Sequence, residues 1–291
     1  MFYHLIPNPN QSQVFYPQTM NLNSEKTIRE LLKKYHLRPS KKMGQNFLVN
    51  EDILDKIIQN SQLTKNDVVL EIGPGIGALT QKLLKIVKKV VAVEKDKQLA
   101  KLLKMSLAEF KNLEIIEGDI MIVNDLPIIK PYKIVANLPY NISLPIIRKF
   151  IEGKNPPQEM ILMLQKEVAQ KICSQKSSIP KIAIELYAKS KILFFVPKES
   201  FWPMPKVDGA VIRITDIQKN VPNINEDLFF KILKAGFAHP RKTILNNLSQ
   251  QFGIEREKTQ EKLLKCEIIP KKRGAEIDMD GWIRLSNSFF K

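Results

Sequence analysis

The chain has 291 residues, room for one large domain and a small one, and 44% of them are apolar, enough for an ordinary core. Lys and Arg number 46 against 30 Asp and Glu, and the resulting charge of +16 points to a polyanionic partner, nucleic acid ahead of an anionic membrane. Cys173 and Cys266 form no CxxC pair, and His4, His36 and His239 show no ligand spacing. A disulfide framework and a metal site are therefore not expected; free thiols in a reducing cytoplasm are. No apolar run approaches the length of a membrane span.

Residues 1–23 carry no charge and are rich in Asn, Gln and Pro. They lack the cationic start and apolar stretch of a signal peptide, and read as a disordered tail with Met20 as an alternative start. Ser24 can cap a helix running to Tyr35, with Ile28, Leu31 and Leu32 on one face. A basic loop follows over 38–48, and Asn50 can cap a second helix running to Asn60. From there strands alternate with helices. Short apolar runs at 68–72, 90–94, 113–117, 133–136 and 160–164 read as strands buried on both faces, and helical crossovers such as 78–87 imply a parallel sheet. Runs at 192–196 and 210–214 have no long helix between them and suit an antiparallel hairpin that closes the sheet. The expected fold is α/β: a Rossmann-like, seven-stranded, mostly parallel sheet over 24–215, a polar linker over 216–225 and a small all-α domain over 226–291.

The strongest local signal is Val68-Val69-Leu70-Glu71-Ile72-Gly73-Pro74-Gly75-Ile76-Gly77, a strand, a glycine turn and the start of a helix. Glycines let the backbone turn tightly and approach a ligand closely. The spacing is G-x-G-x-G, wrong for a pyrophosphate cradle, and it resembles the first motif of Rossmann-like methyltransferases, which holds the amino-acid end of S-adenosylmethionine. Taken alone it could be an ordinary tight turn. Glu94 ends the second strand, where a carboxylate can accept both ribose hydroxyls. Asp119 follows the third, where it can accept an adenine amino group. Open α/β sheets bind ligands at the carboxyl ends of their strands, so three consecutive strands deliver polar groups to one crevice.

Asn137-Leu138-Pro139-Tyr140 follows the fourth strand and resembles the signature of enzymes that methylate amino nitrogens of bases. The lone pair of an exocyclic amine is delocalised into the ring. Acceptance of its two N–H groups by the Asn137 side-chain oxygen and the Leu138 carbonyl favours a pyramidal nitrogen. Pro139 would fix that carbonyl inward, and Tyr140 would stack on a base flipped out of its helix or loop. Orientation and electrostatics carry such a step. Phe201-Trp202-Pro203-Met204-Pro205-Lys206-Val207-Asp208 is an aromatic–proline loop whose Phe201 could clamp the other face of the base; the alternative is a core aromatic at a turn.

Together with 41–48, Gly118-Asp119, 237–248, 272–276 and 282–287, these motifs fall in the order of the KsgA/RsmA family of small-subunit ribosomal RNA adenine dimethyltransferases, which the chain resembles over about 37–289. The resemblance implies that Asn46, Leu48, Gly73, Glu94, Asp119 and Asn137 contact S-adenosylmethionine, with Gly75 in the same turn. It also implies that two adjacent adenines in the last small-subunit rRNA hairpin loop each receive two methyl groups. His239-Pro240 stands where the family often has arginine, which leaves details of RNA contact open. RNA is expected between the domains, touched by Lys41 and Lys42 on one side and by Arg241 and Lys242, beginning a helix, on the other. A monomer without a metal is expected. The rivals are a large-subunit rRNA dimethyltransferase conferring antibiotic resistance, a non-catalytic assembly or transcription factor on the same fold, and a DNA adenine methyltransferase. Gly44 to Leu48 and Arg241 to Leu248 favour the small-subunit enzyme, and the intact acids and Asn137 to Tyr140 favour catalysis.

Overall fold

A computed structural model describes residues 22–40, 43–218 and 224–290. In chain order the elements are α1 (Glu25–Lys34), β1 (Phe47–Leu48), α2 (Glu51–Ser61), β2 (Val68–Ile72), α3 (Ala78–Leu84), β3 (Lys89–Glu94), α4 (Lys97–Ser106), β4 (Leu113–Glu117), β5 (Lys133–Asn137) and α5 (Ser143–Ile151). They continue with β6 (Glu159–Gln165), α6 (Lys166–Ile172), α7 (Ile179–Glu185), β7 (Lys189–Val196), β8 (Phe201–Trp202) and β9 (Gly209–Thr215). The helices α8 (Glu226–Gly236), α9 (Ile244–Phe252), α10 (Arg256–Lys265) and α11 (Met279–Ser288) complete the chain. Among the described residues no helix is long and apolar enough to cross a membrane.

The main sheet has the order β4-β3-β2-β5-β6-β9-β7. Strands β4, β3, β2, β5 and β6 run parallel, and β9 lies antiparallel between β6 and β7. The chain winds outward from β2 through β3 to β4, then returns to place β5 on the other side of β2. The crevice beyond β2 and β5 is thus a topological switch point, where such sheets bind ligands. The expected closing hairpin is present as β7 and β9, and Arg213 of β9 is ion-paired with Glu159 of β6.

The period-two alternation of the strands splits the apolar side chains between two faces. Val69, Val90, Ala92, Val135 and Met163 pack with α1 to α4 on one face. Leu70, Val91, Ile134, Leu162 and Ile212 pack on the other with α5 to α7, and that cluster continues into α8 to α11 through Phe229, Ile232, Trp282 and Phe289. Polar contacts reinforce the continuity: Tyr187 Oη donates to Glu226 Oε2 (2.6 Å) and Ser177 Oγ to the Ile277 carbonyl (2.6 Å).

Several local expectations change. Leu22 and Asn23, assigned to the tail, are buried, and residues 1–21 lie outside the described residues, as do Lys41 and Lys42. Asn50 caps α2 by accepting from the Ile53 N–H (3.2 Å). Ser24 precedes α1 but makes no side-chain cap; only its carbonyl takes the first helical bond, from Ile28. Residues 47–48 and 201–202, read as loop, pair as an antiparallel ribbon, Phe47 with Trp202 and Leu48 with Phe201.

Close approach of α8 to α11 depends on Gly236. A Cβ there would lie 2.4 Å from Trp282 Cη2 and 2.8 Å from Ile244 Cδ1. Gly236→Ala is expected to lower the urea midpoint, because overpacking of about 1–3 kcal/mol exceeds the roughly 1 kcal/mol that alanine gains in a helix. An unchanged or higher midpoint would show that the two helices separate freely.

Candidate active site

The loop from β2 to α3 is built on left-handed backbone. Gly73, Gly75 and Gly77 have φ of +66°, +60° and +93°, values that side chains disfavour. A Cβ at Gly77 would lie 2.5 Å from Leu103 Cδ1, and one at Gly75 would lie 3.1 Å from Phe47 Cε1. The turn therefore sits tight against α4 on one side and the β1 aromatic on the other.

Glu94, at the end of β3, is 6% exposed, yet both its oxygens are engaged by backbone. Oε2 accepts from Gly75 N (3.0 Å) and Oε1 from Asp96 N (2.9 Å). Burial raises its pKa, and these two N–H bonds oppose the rise. Each oxygen keeps acceptor capacity for a hydroxyl. Asp119 accepts from Met121 N through Oδ1 (2.9 Å) and pairs through Oδ2 with Lys95 Nζ (2.7 Å). The hydrogen bond from Lys95, then that from Met121, holds its carboxyl below the usual range. Nothing in the sequence marks Lys95, because a lone lysine after an acid is indistinguishable from a solvated one.

Asn137 ends β5, and its Nδ2 donates to the Asn46 carbonyl (3.3 Å). That bond turns the Oδ1 arm of the amide the other way. The buried Leu138 donates its N–H to the Met163 carbonyl (3.0 Å), and the Pro139 carbonyl accepts from Ile142 N (3.2 Å), so the Asn137 to Tyr140 turn is fixed at both ends. The Tyr140 hydroxyl is buried without a partner. Burial, then the Asp208 and Glu167 charges, push its pKa up to about 12, so the phenol is neutral at physiological pH.

These groups converge on a cavity of about 420 Å³, within the usual range for small-molecule sites. Asn46, Leu48, Gly73, Gly75, Glu94, Asp119, Asn137, Leu138, Pro139 and Tyr140 all line it. The lining fits S-adenosylmethionine: an acid for a diol, an acid for an exocyclic amine, a glycine turn without side chains for close approach of the amino-acid end, and apolar walls including Ile72, Ile120 and Ile146.

Other expected residues are not brought to it. Phe201 is 3% exposed, packs in the core beside Val196 and Val211, and does not line the cavity. Arg241 and Lys242 are exposed, but they do not begin a helix; they lie in the turn before α9, whose cap is Thr243, accepting from Asn246 N (3.3 Å). The buried Asn247 shapes that turn by donating to the Gly236 and His239 carbonyls (2.8 and 3.1 Å) and accepting from His239 N (3.2 Å). Pro240 therefore costs no helical hydrogen bond.

The acid ahead of the glycines has a role in stability. Glu71 is 2% exposed, lines the cavity, and its Oε2 has no partner. Burial, aided by the Glu94 charge, raises its pKa to about 8. A carboxyl with a raised native pKa binds its proton longer in the native than in the unfolded state, so stability falls as pH rises between about 4.5 and 8. Glu71→Gln, which stays neutral, is expected to be more stable than wild type by a margin that widens across this window in the ligand-free protein. Thermal unfolding curves whose midpoints stay parallel with pH would show that native Glu71 is already ionised.

The profile of the family described as ribosomal RNA adenine dimethylase matches residues 22–289. The ribosomal RNA small subunit methyltransferase A of Clostridioides difficile (strain 630) is 37% identical over 281 residues, 91% of this chain and 96% of that relative. The protein of the same name from Lactococcus lactis (strain IL1403) is 38% identical over 275 residues, 89% of this chain and 93% of that one. Among solved structures, a dimethyladenosine transferase from Plasmodium falciparum superposes with a TM-score of 0.67 at 28% identity, covering 81% of this chain and 94% of that one. The 23S rRNA methyltransferase ErmE superposes with a TM-score of 0.65 at 23% identity, over 84% of this chain and 100% of that one, a likeness of fold alone. The fold is that of the class I methyltransferases, and the chain belongs to the ribosomal RNA adenine dimethylase family.

Proposed function

We propose that this enzyme dimethylates N6 of two adjacent adenines in the 3′-terminal hairpin loop of small-subunit (16S) rRNA, acting in the cytoplasm on a pre-ribosomal particle. The observation that carries the reading is the placement of Asn137 to Tyr140 across the switch-point crevice from the glycine turn, on the same cavity as Glu94 and Asp119. S-adenosylmethionine, the methyl donor, supplies an electrophilic methyl group on a sulfonium. Glu94 would hold the ribose hydroxyls and Asp119 the adenine amine, while the backbone of Gly73 and Gly75, with Asn46 and Leu48, receives the amino-acid end. Asn137 Oδ1 and the Leu138 carbonyl accept the two N–H groups of the target amine and direct its lone pair. Tyr140 offers its ring to the flipped base; its phenol, held neutral, is not the base that takes a proton. The proton released from N6 passes to water.

Asn137→Ala is expected to keep its fold and bind S-adenosylmethionine, yet lose about 10²–10³-fold in single-turnover rate, the usual cost of removing one preorganised partner from a reacting group. A near wild-type rate with saturating cofactor would rule out the orientation role. At the level of the cell, mass spectrometry of rRNA from a strain lacking the protein is expected to show loss of dimethyladenosine from the small subunit; loss from the large subunit instead would favour the resistance-type enzyme.

For RNA, we assign residues 226–291 as the binding unit, with Arg241 and Lys242 on its exposed turn, and Lys41 and Lys42 as further phosphate contacts. Replacing Arg241 and Lys242 together by Ala should weaken binding to small-subunit particles. It should also flatten the slope of log affinity against log salt by about 0.7–0.9 per lost phosphate contact. A salt series with unaltered slope and affinity would assign α8 to α11 another purpose.

A further inference from the structure

We infer that Gln45 is a positioning residue, a latch that fastens the loop before β1 to the α4 cap and so holds the Asn46 carbonyl against the Asn137 amide. The inference rests on the adenine-N6 reading of Asn137. Gln45 uses both arms of its amide: Oε1 accepts from Ser40 N (2.7 Å), and Nε2 donates to Asp96 Oδ2 (3.0 Å), with Met43 Sδ nearby (3.7 Å). Asp96 divides its carboxylate, Oδ1 capping α4 through Gln98 and Leu99 N–H groups and Oδ2 taking Gln45, while its own N–H goes to Glu94 Oε1. On the far side of the same loop, Asn46 Nδ2 donates to the Gly44 carbonyl (3.2 Å), and the Asn46 carbonyl accepts from Asn137 Nδ2. Gly44, at φ +67°, lies against Tyr140 and Asn141.

One loop thus ties the ribose acid to the acceptor of the target amine. With Nδ2 of Asn137 held, its Oδ1 keeps one direction; with the loop released, the amide is free to turn and present the wrong arm to the amine. The latch needs a side chain that donates and accepts at once over the length of Gln, and Glu fails the donor half when ionised.

Gln45→Glu sets two carboxylates against each other, and one can then keep a proton at low pH. Among the described residues, the other carboxyl and ammonium groups lining the cavity are Glu71, Glu94 and the Lys95–Asp119 pair, and because all three proteins share them, each rate is read against wild type at the same pH. Three full-length proteins are compared: wild type, Gln45→Glu, and Gln45→Glu with Asp96→Asn, in which the Asn amide can donate to the new carboxylate. In the ligand-free proteins, hydrogen exchange at residues 43–47 is expected to rise in the single variant and return in the double. With saturating S-adenosylmethionine and small-subunit particles, the single variant at pH 8 should lose about tenfold or more in single-turnover rate. That rate should recover towards wild type at pH 6, and in the double variant it should recover at pH 8.

Unchanged exchange in Gln45→Glu overturns the latch. A rate deficit equal at both pH values and in the double variant overturns the positioning role and leaves only a structural one. Failure of the wild type itself to methylate any rRNA substrate would instead overturn the functional reading, with exchange still deciding the latch.

Discussion

Two backbone hydrogen bonds to one buried carboxylate organise the crevice. Glu94 takes an N–H from the glycine turn after β2 and another from the turn after β3, so adjacent strand ends are tied through the group that faces the cavity. A carboxylate so placed would be costly without those donors, and the donors would be orphaned without it. The second turn carries Asp96, which caps α4 and takes Gln45, and the first is wedged between Leu103 and Phe47. The positions of α3, α4 and the loop before β1 all follow from this one node.

The opposite face of the sheet obeys a different constraint. The cluster under α5 to α7 continues without a break into α8 to α11, and Trp282 fits only because Gly236 presents no side chain. Arg148 of α5 lies 4.8 Å over the Phe230 ring of α8, so even the charged surface of the sheet layer is used as packing for the helices. A closely packed seat of this kind positions the exposed turn of Arg241 and Lys242.

Much of this was legible in the sequence, because strands buried on both faces write continuous apolar runs and the glycine turn has a spacing of its own. The order of the motifs along the chain placed Glu94, Asp119 and Asn137 at strand ends, where the structure has them around one cavity. What failed to show depended on partners distant in sequence. Phe201 looks the same in a string whether it faces a base or Leu48. Arg241 and Lys242 precede a helical pattern, but only Asn247, folding back to residues 236 and 239, decides that the helix starts after them. Ser24 is the right residue type for a cap and simply makes no cap bond. The two-residue strands β1 and β8 are too short to write any period, and Gln45 gives no sign of Asp96, 51 residues away.

The ribbon of β1 and β8 sets an order of events. One wall of the cavity comes from residues 43–48, and that wall hangs on residues 200–202, through strand pairing and the bond from Val49 N to the Ser200 carbonyl (2.8 Å). Contacts that span so much chain form late, since the intervening segment must first be ordered. On the ribosome, a nascent chain that has already threaded β2 to β5 carries the glycine turn, both acids, Asn137 and the partners of Gln45 and Asn46, but the wall still lacks its pairing with β8. The strand pairing of that wall is completed only when residues 200–202 have been made, so the pocket takes its final shape as the last strands close the sheet.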